Sequence, residues 1–288
     1  MILSQGNIQN SSGSNRDTES IRTSLKRTVH SFYENVKAIL LYPKAKLQKV
    51  ILSLTFLLLG LSLNQIAEAQ LYNDYGFRKT ITVPQANMSG SSVHTDFPML
   101  VRINADNDLR SVGNFGYVEN ANGYDIVFSI DGTNILDHEM ELYDPVTGEY
   151  IAWVRIPSLD PTADFSFYIY FGNPSVSADP STTDTWSASY EGVWHLHDDF
   201  DDATANTIDG TNNNTTNTTG LIGDAQNFNA SNQEYIDLGN PANINFGTED
   251  WTISAWVNTS TATSKNNIIS NGDDEPGGIR YSLALSET

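Results

Sequence analysis

Tyr150 to Phe171 reads YIAWVRIPSLDPTADFSFYIYF, and this stretch decides the fold. Tyr150, Ala152, Val154 and Ile156 alternate with Ile151, Trp153 and Arg155. A break at Asp160-Pro161 follows, and then Phe165, Phe167, Ile169 and Phe171 alternate with Ser166, Tyr168 and Tyr170. A side-chain period of two is the mark of a strand, since successive side chains point to opposite faces of a sheet. Aromatic residues on both faces of the second segment predict that both of its faces are covered.

The same alternation extends outward on either side. Phe77, Lys79, Ile81 and Val83 alternate with Arg78, Thr80 and Thr82, and Phe97 to Ile103 is an apolar run. Asp125 to Ile130 predicts a strand closed by Asp131-Gly132, a pair suited to tight turns. In the next strand Leu136, His138, Met140 and Leu142 share one face, and Asp137, Glu139, Glu141 and Tyr143 share the other. Further strands are expected at Gly192–His197, Tyr235–Leu238, Trp251–Val257, Asn267–Ser270 and Ile279–Leu285, with the Asn/Thr tract Thr211–Gly220 as an exposed loop. The expected class is all-β: an antiparallel β-sandwich domain over residues 70–175, a Ser/Thr/Pro/Asp-rich linker at 176–185, and a second domain at 186–288.

The residues before 70 have a different character. Lys44, Lys46 and Lys49 precede the apolar run Val50–Leu63, and Ala67-Glu68-Ala69 follows it. A basic start, a short apolar run and an A-x-A site make residues 44–69 a signal peptide with cleavage expected after Ala69. Residues 1–43 are a polar preface, read as a start codon assigned too early. If the apolar run is instead retained, it is an anchor and the chain's one contact with a membrane. Either way the bulk of the chain goes outside, secreted or on a cell surface.

Charge narrows the partners. Fifteen basic and thirty-five acidic residues give a net charge of −20. Eight basic and four acidic residues precede position 70, so the remainder carries 7 − 31 = −24. Such a polyanion repels phosphate backbones, which argues against a nucleic-acid partner. The absence of cysteine excludes disulfides and thiolate metal sites.

Several short motifs occur in a recognisable order: YGFRKTITV from Tyr75, DFPMLVRI from Asp96, GYDIVFS from Gly123, EMELYD from Glu139, IAWVRIPSL from Ile151 and FYIYFGN from Phe167. Together they resemble the bacterial family DUF2341, over roughly residues 72–175. GVWHL at Gly192, DDATANTIDG at Asp201, GDAQNFNASNQEYIDLG at Gly223 and DWTISAWV at Asp250 resemble a LamG-like jellyroll, a relative of concanavalin A-like lectins and glucanases. The resemblance implies a bacterial secreted protein. It also implies that residues 186–288 hold only the N-terminal part of an incomplete jellyroll, with apolar strand edges exposed.

Three chemistries are weighed on these residues. Asp201, Asp202, Asn206 and Asp209 offer oxygen ligands on one loop, and LamG-like jellyrolls often hold calcium, so calcium is the candidate cofactor there. Asn271–Glu275 is a second, weaker acidic loop. His195 and His197 point the same way from a strand, but nothing in the sequence supplies a third transition-metal ligand, and the resemblance gives His195 a packing role. A glycosidase needs paired carboxylates across the sugar. The nearest string, Glu139-Met140-Glu141-Leu142-Tyr143-Asp144, has the wrong order for glucanases of this fold and reads as solvent-facing acids on a half-buried strand.

No catalytic residue is therefore assigned. Trp256, opposite Ile253 and Val257, is the expected ligand contact. The expected function is a non-catalytic binding or adhesion module for a glycan or a surface protein. The alternatives are an ancillary region of a carbohydrate-active enzyme whose catalytic domain lies outside this sequence, or a structural stalk.

Overall fold

The structure is a computed structural model, and it describes residues 74–248, 250–259, 266–272 and 281–285. The segments read as a preface and a signal peptide, and most of the second acidic loop, lie outside the described residues. The described chain is all-β, with antiparallel strand pairs and helical turns of three residues at most among its named elements.

Six strands make the first unit: β1 (Phe77–Val83), β2 (His94–Ile103), β3 (Val127–Ser129), β4 (His138–Asp144), β5 (Glu149–Leu159) and β6 (Phe165–Phe171). They form two three-stranded sheets, ordered β1-β6-β3 and β2-β5-β4. The long strands of the Tyr150–Phe171 stretch lie at the centre of each sheet, β5 in one and β6 in the other, so the connection between them joins the two layers. β2 runs along an edge, which is why it tolerates Pro98.

The alternating residues meet between the layers. Ile81, Val83, Phe128, Phe167 and Ile169 pack with Met99, Val101, Tyr150, Ala152, Val154 and Ile156. Phe128 is fully buried and touches the rings of His138, Tyr150 and Phe167. Burial of this kind contributes about 25 cal/mol per Å2 of apolar surface, the main force holding the sheets together. The outer face of β6 is covered too: Tyr170 is buried against Tyr75 and Val127, with Val176 packed on them. The second alternating residue of β1, Lys79, is buried as well, its ammonium 2.5 Å from Asp106 and 2.9 Å from Asp108.

One strand departs from strict alternation. In β4 the pairing with β5 slips between Met140 and Leu142, leaving Glu141 as the extra residue of a β-bulge. A bulge bends the strand and re-aims its side chains. Tyr143 accordingly packs against the core, away from the solvent-side face expected for it, and donates its hydroxyl to the Leu109 carbonyl.

After Phe171 the chain crosses back over β4. The Thr182 N–H donates to the His138 carbonyl, the Ser181 hydroxyl oxygen accepts from the Met140 N–H, and Trp186 lies against Trp153. The remaining strands are short: β7 (Thr211–Asn213), β8 (Thr216–Thr219), β9 (Asp224–Asn227), β10 (Tyr235–Asp237), β11 (Asn266–Asn271) and β12 (Tyr281–Leu285). They pair as β7 with β10, β8 with β9 and β11 with β12.

Three local expectations fail here. The Asn/Thr tract is not a plain loop, because it supplies β7 and β8, held by side-chain bonds such as Asn212 with Thr215. Gly192–His197 and Trp251–Val257 alternate like strands but form none, since no described strand hydrogen-bonds along them. Trp251 instead stacks with Phe246 and Tyr281.

Candidate functional site

The bulged strand β4 brings together the most concentrated ionisable chemistry among the described residues. Glu139 and Glu141 project from the outer face of the β2-β5-β4 sheet, where the segment carrying His195 and His197 lies across them. The His195 Nδ1 is 2.5 Å from Glu141 Oε1, and its Nε2 is 3.1 Å from Glu139 Oε2. The His197 Nε2 is 3.0 Å from Glu141 Oε2. Two indoles complete the network: Trp153 Nε1–H donates to Glu141 Oε1 at 2.6 Å, and Trp186 Nε1–H donates to Glu139 Oε2 at 2.7 Å.

The electrostatics follow from this geometry. Glu141 is 2% exposed. Burial works to raise its pKa, but the bonds from His195, His197 and Trp153 outweigh burial and hold the carboxyl at about 2. Burial likewise works to lower the His195 pKa, and its contacts with Glu139 and Glu141 overcome this and push it up to about 9. The Glu141 bond also raises the His197 pKa, against its burial. At neutral pH Glu141 is therefore a carboxylate and His195 an imidazolium.

What this arrangement does chemically is fasten. Each carboxylate is bonded to both an indole and an imidazole nitrogen, and the four contacts tie the segment carrying His195 to β4. Among the described residues, no three histidine or acidic side chains are disposed to hold a metal ion. The partners that the histidine pair lacked in sequence come from β4, 54 to 58 residues upstream, and they act as counter-ions. The reading of Glu139 and Glu141 as solvent-facing acids is corrected: Glu141 is buried and Glu139 partly covered, because the following chain folds back over them. A Glu-x-Glu and a His-x-His, each with strand spacing, were the available signal.

The residues proposed for calcium lie just beyond. Asp202 is buried, and its carboxylate accepts from the Val193, Thr204 and Ile208 N–H groups and from the Thr204 hydroxyl. Asp209 accepts from the Asp202 N–H. Asn206 donates to the Tyr190 and Glu191 carbonyls and accepts from Asn243. Asp201 is exposed, and its N–H reaches Asp199. The loop thus gathers Asp202 and Asp209 around one turn, with Asn206 turned toward the 190–191 backbone and Asp201 toward solvent. Trp256 is 58% exposed.

Sheets and cluster together define an all-β protein, a two-layered antiparallel sandwich with a second β-region fastened to its outer face. Residues 122–219 match the family model described as a domain of unknown function, DUF2341. The matched stretch begins ahead of β3 and ends at Thr219, so it contains both sides of the cluster and Asp202 as well. No curated protein and no solved structure matches the chain.

Proposed function

We propose that this chain is a non-catalytic binding protein of a bacterial cell surface or secretion, with glycans as its ligand class. The DUF2341-like sandwich is the rigid mount. The region from Trp186 onward is the beginning of a LamG-like jellyroll and carries the contact residue Trp256. The observation that supports this reading best is a division of labour among side chains. The groups that could perform acid–base chemistry, Glu139, Glu141, His195 and His197, are bound to one another, whereas a large aromatic ring, Trp256, faces water. An exposed indole face suits stacking on the apolar face of a sugar. Calcium joins the reading through Asp201 and Asp209, whose exposed carboxylates flank the Asp202 turn.

Full-length protein passed over an oligosaccharide array, with calcium or with a chelator, tests the proposal. Retention of a subset of glycans, weakened at least tenfold by Trp256→Ala, is the expected result. Turnover of a glycan, or no retention under either condition, contradicts it.

A further inference from the structure

The end of the sandwich where β1 begins carries an aromatic that the fold does not use. Phe115 is 96% exposed. Its backbone is left-handed, with φ 66°, a conformation that costs a non-glycine residue about 1 kcal/mol. A flexible loop would relax such a residue, but this loop is tied down throughout. The Asn114 and Gly116 N–H groups donate to the Ser111 carbonyl, Phe115 N–H to Val112, Tyr117 N–H to Asp108, Val118 N–H to Arg110, and Val112 N–H to Val118. The Asn114 amide also donates to the Ser111 hydroxyl. Gly116 is required, since a β-carbon there would lie 2.1 Å from the Arg110 carbonyl oxygen. Leu109 and Val118, fully buried, anchor both ends of the loop in the core.

Other rings and apolar side chains surround this loop. Tyr117 stacks on Phe77 at 4.1 Å between centroids, and both are partly exposed. Val112 is exposed as well, and so is Val146 in the β4–β5 turn, which the Ser111 N–H joins through the Pro145 carbonyl. Ser111–Tyr117 (SVGNFGY) contains no charged residue, in a chain of net charge −20. A strained, rigid, uncharged tip that holds a phenyl ring in water is organised for contact. The entropy of ordering the loop is met on folding, so it is not lost again on binding.

We propose that this tip is a second binding site of the protein, taking a neutral glycan by stacking a sugar ring on Phe115 and Tyr117, with the partly exposed Asn114 side chain at its rim. The proposal rests on the glycan reading above but places the contact on the sandwich, apart from Trp256. An uncharged tip matches a neutral sugar. Acidic glycans meet the surrounding negative charge and bind more weakly.

The test is the same array, carrying neutral and acidic oligosaccharides, with full-length wild type, Phe115→Ala, Phe115→Gly and Trp256→Ala. Phe115→Gly is the decisive variant, because glycine relaxes the left-handed backbone while removing the ring. At least a tenfold loss on neutral glycans in both Phe115 variants, with an unfolding midpoint equal to or above wild type in Phe115→Gly, is the expected result. Glycan binding that survives both Phe115 variants but falls in Trp256→Ala overturns this site and leaves the general reading standing. No glycan binding by wild type overturns both. Retention of phosphatidylcholine vesicles or of a protein ligand through Phe115, without glycan binding, also overturns the proposal.

Discussion

The two β-regions of this chain are held together by different means, and the contrast explains why one was legible in sequence and the other only in part. Before Phe171 the strands are mostly seven to eleven residues long and enclose one apolar core, whose buried members all lie between Ile81 and Phe171. After Trp186 the named strands are three to six residues long, and polar side chains do much of the organising. Asp202 collects four donors, and Gln226 reaches Thr215, Asn217 and the His197 carbonyl. Apolar burial is non-directional and sums over many residues, whereas a side-chain hydrogen bond contributes only about 1 kcal/mol net and depends on one geometry. The first region is therefore expected to tolerate surface change and resist core change. The second is expected to fail at single polar hubs.

Substitutions sharpen that contrast in order of size. Phe128→Ala removes a fully buried ring of the sandwich and is expected to cost about 3–5 kcal/mol, read as a lowered denaturant midpoint of the whole first region. Glu141→Gln removes the carboxylate bonded to His197 and one of the two that face His195, leaving His195 with Glu139 alone. It is expected to cost about 3 kcal/mol, confined to the docking of the 186–227 stretch on β4, and limited proteolysis between Trp186 and Asn227 reads it out. Asp202→Ala strips the donors at Val193, Thr204 and Ile208 of their acceptor and is expected to cost about 2 kcal/mol, local to the 192–209 loop. Arg155→Ala, which removes pairings with Asp96 and Asp137 on the partly exposed face of the central strand β5, is expected to shift stability by less than about 1 kcal/mol. If Arg155→Ala proves as costly as Glu141→Gln, the distinction between latch and surface pair collapses.

The cluster also gives the fastening a pH window. His195 has its pKa raised to about 9 from an ordinary 6.5, so its contribution is fully present below 6.5 and is lost as pH rises through 9. Glu141 has its pKa lowered to about 2 from an ordinary 4.5, so its contribution is fully present above 4.5 and is lost as pH falls toward 2. Docking is expected to be firmest between pH 4.5 and 6.5 and to loosen on either side. A pH series of proteolysis between Trp186 and Asn227 measures this, and His195→Asn is expected to weaken the alkaline arm, leaving the part that His197 carries.

Strand periodicity made the sandwich readable because each of its long strands repeats the same choice of face, as β5 and β6 do. It could not reveal the slip at Glu141. A bulge is set by how two strands meet, and the sequence of either strand still alternates through it. Nor could it place Glu139 and Glu141 under His195 and His197, because the chain that covers them folds back from more than fifty residues away. In the second region alternation misled at Trp251–Val257, where the pattern is present and the described partner strand is not. The Asn/Thr tract misled in the opposite sense: short strands held by Asn and Thr side chains carry no apolar alternation. Phe115 gave no periodic signal, because its exposure is set by a loop that closes on itself through bonds among residues 108–118 and by no repeat of side chains.

Amide hydrogen exchange resolved by residue, on wild type and Glu141→Gln at pH 6, tests most directly whether two differently built regions are joined by this carboxylate and imidazole latch. The account predicts that amides between Trp186 and Asn227 lose protection together in the variant, while those of β2, β5 and β6 keep theirs. Equal loss in both regions, or no loss in either, would contradict it.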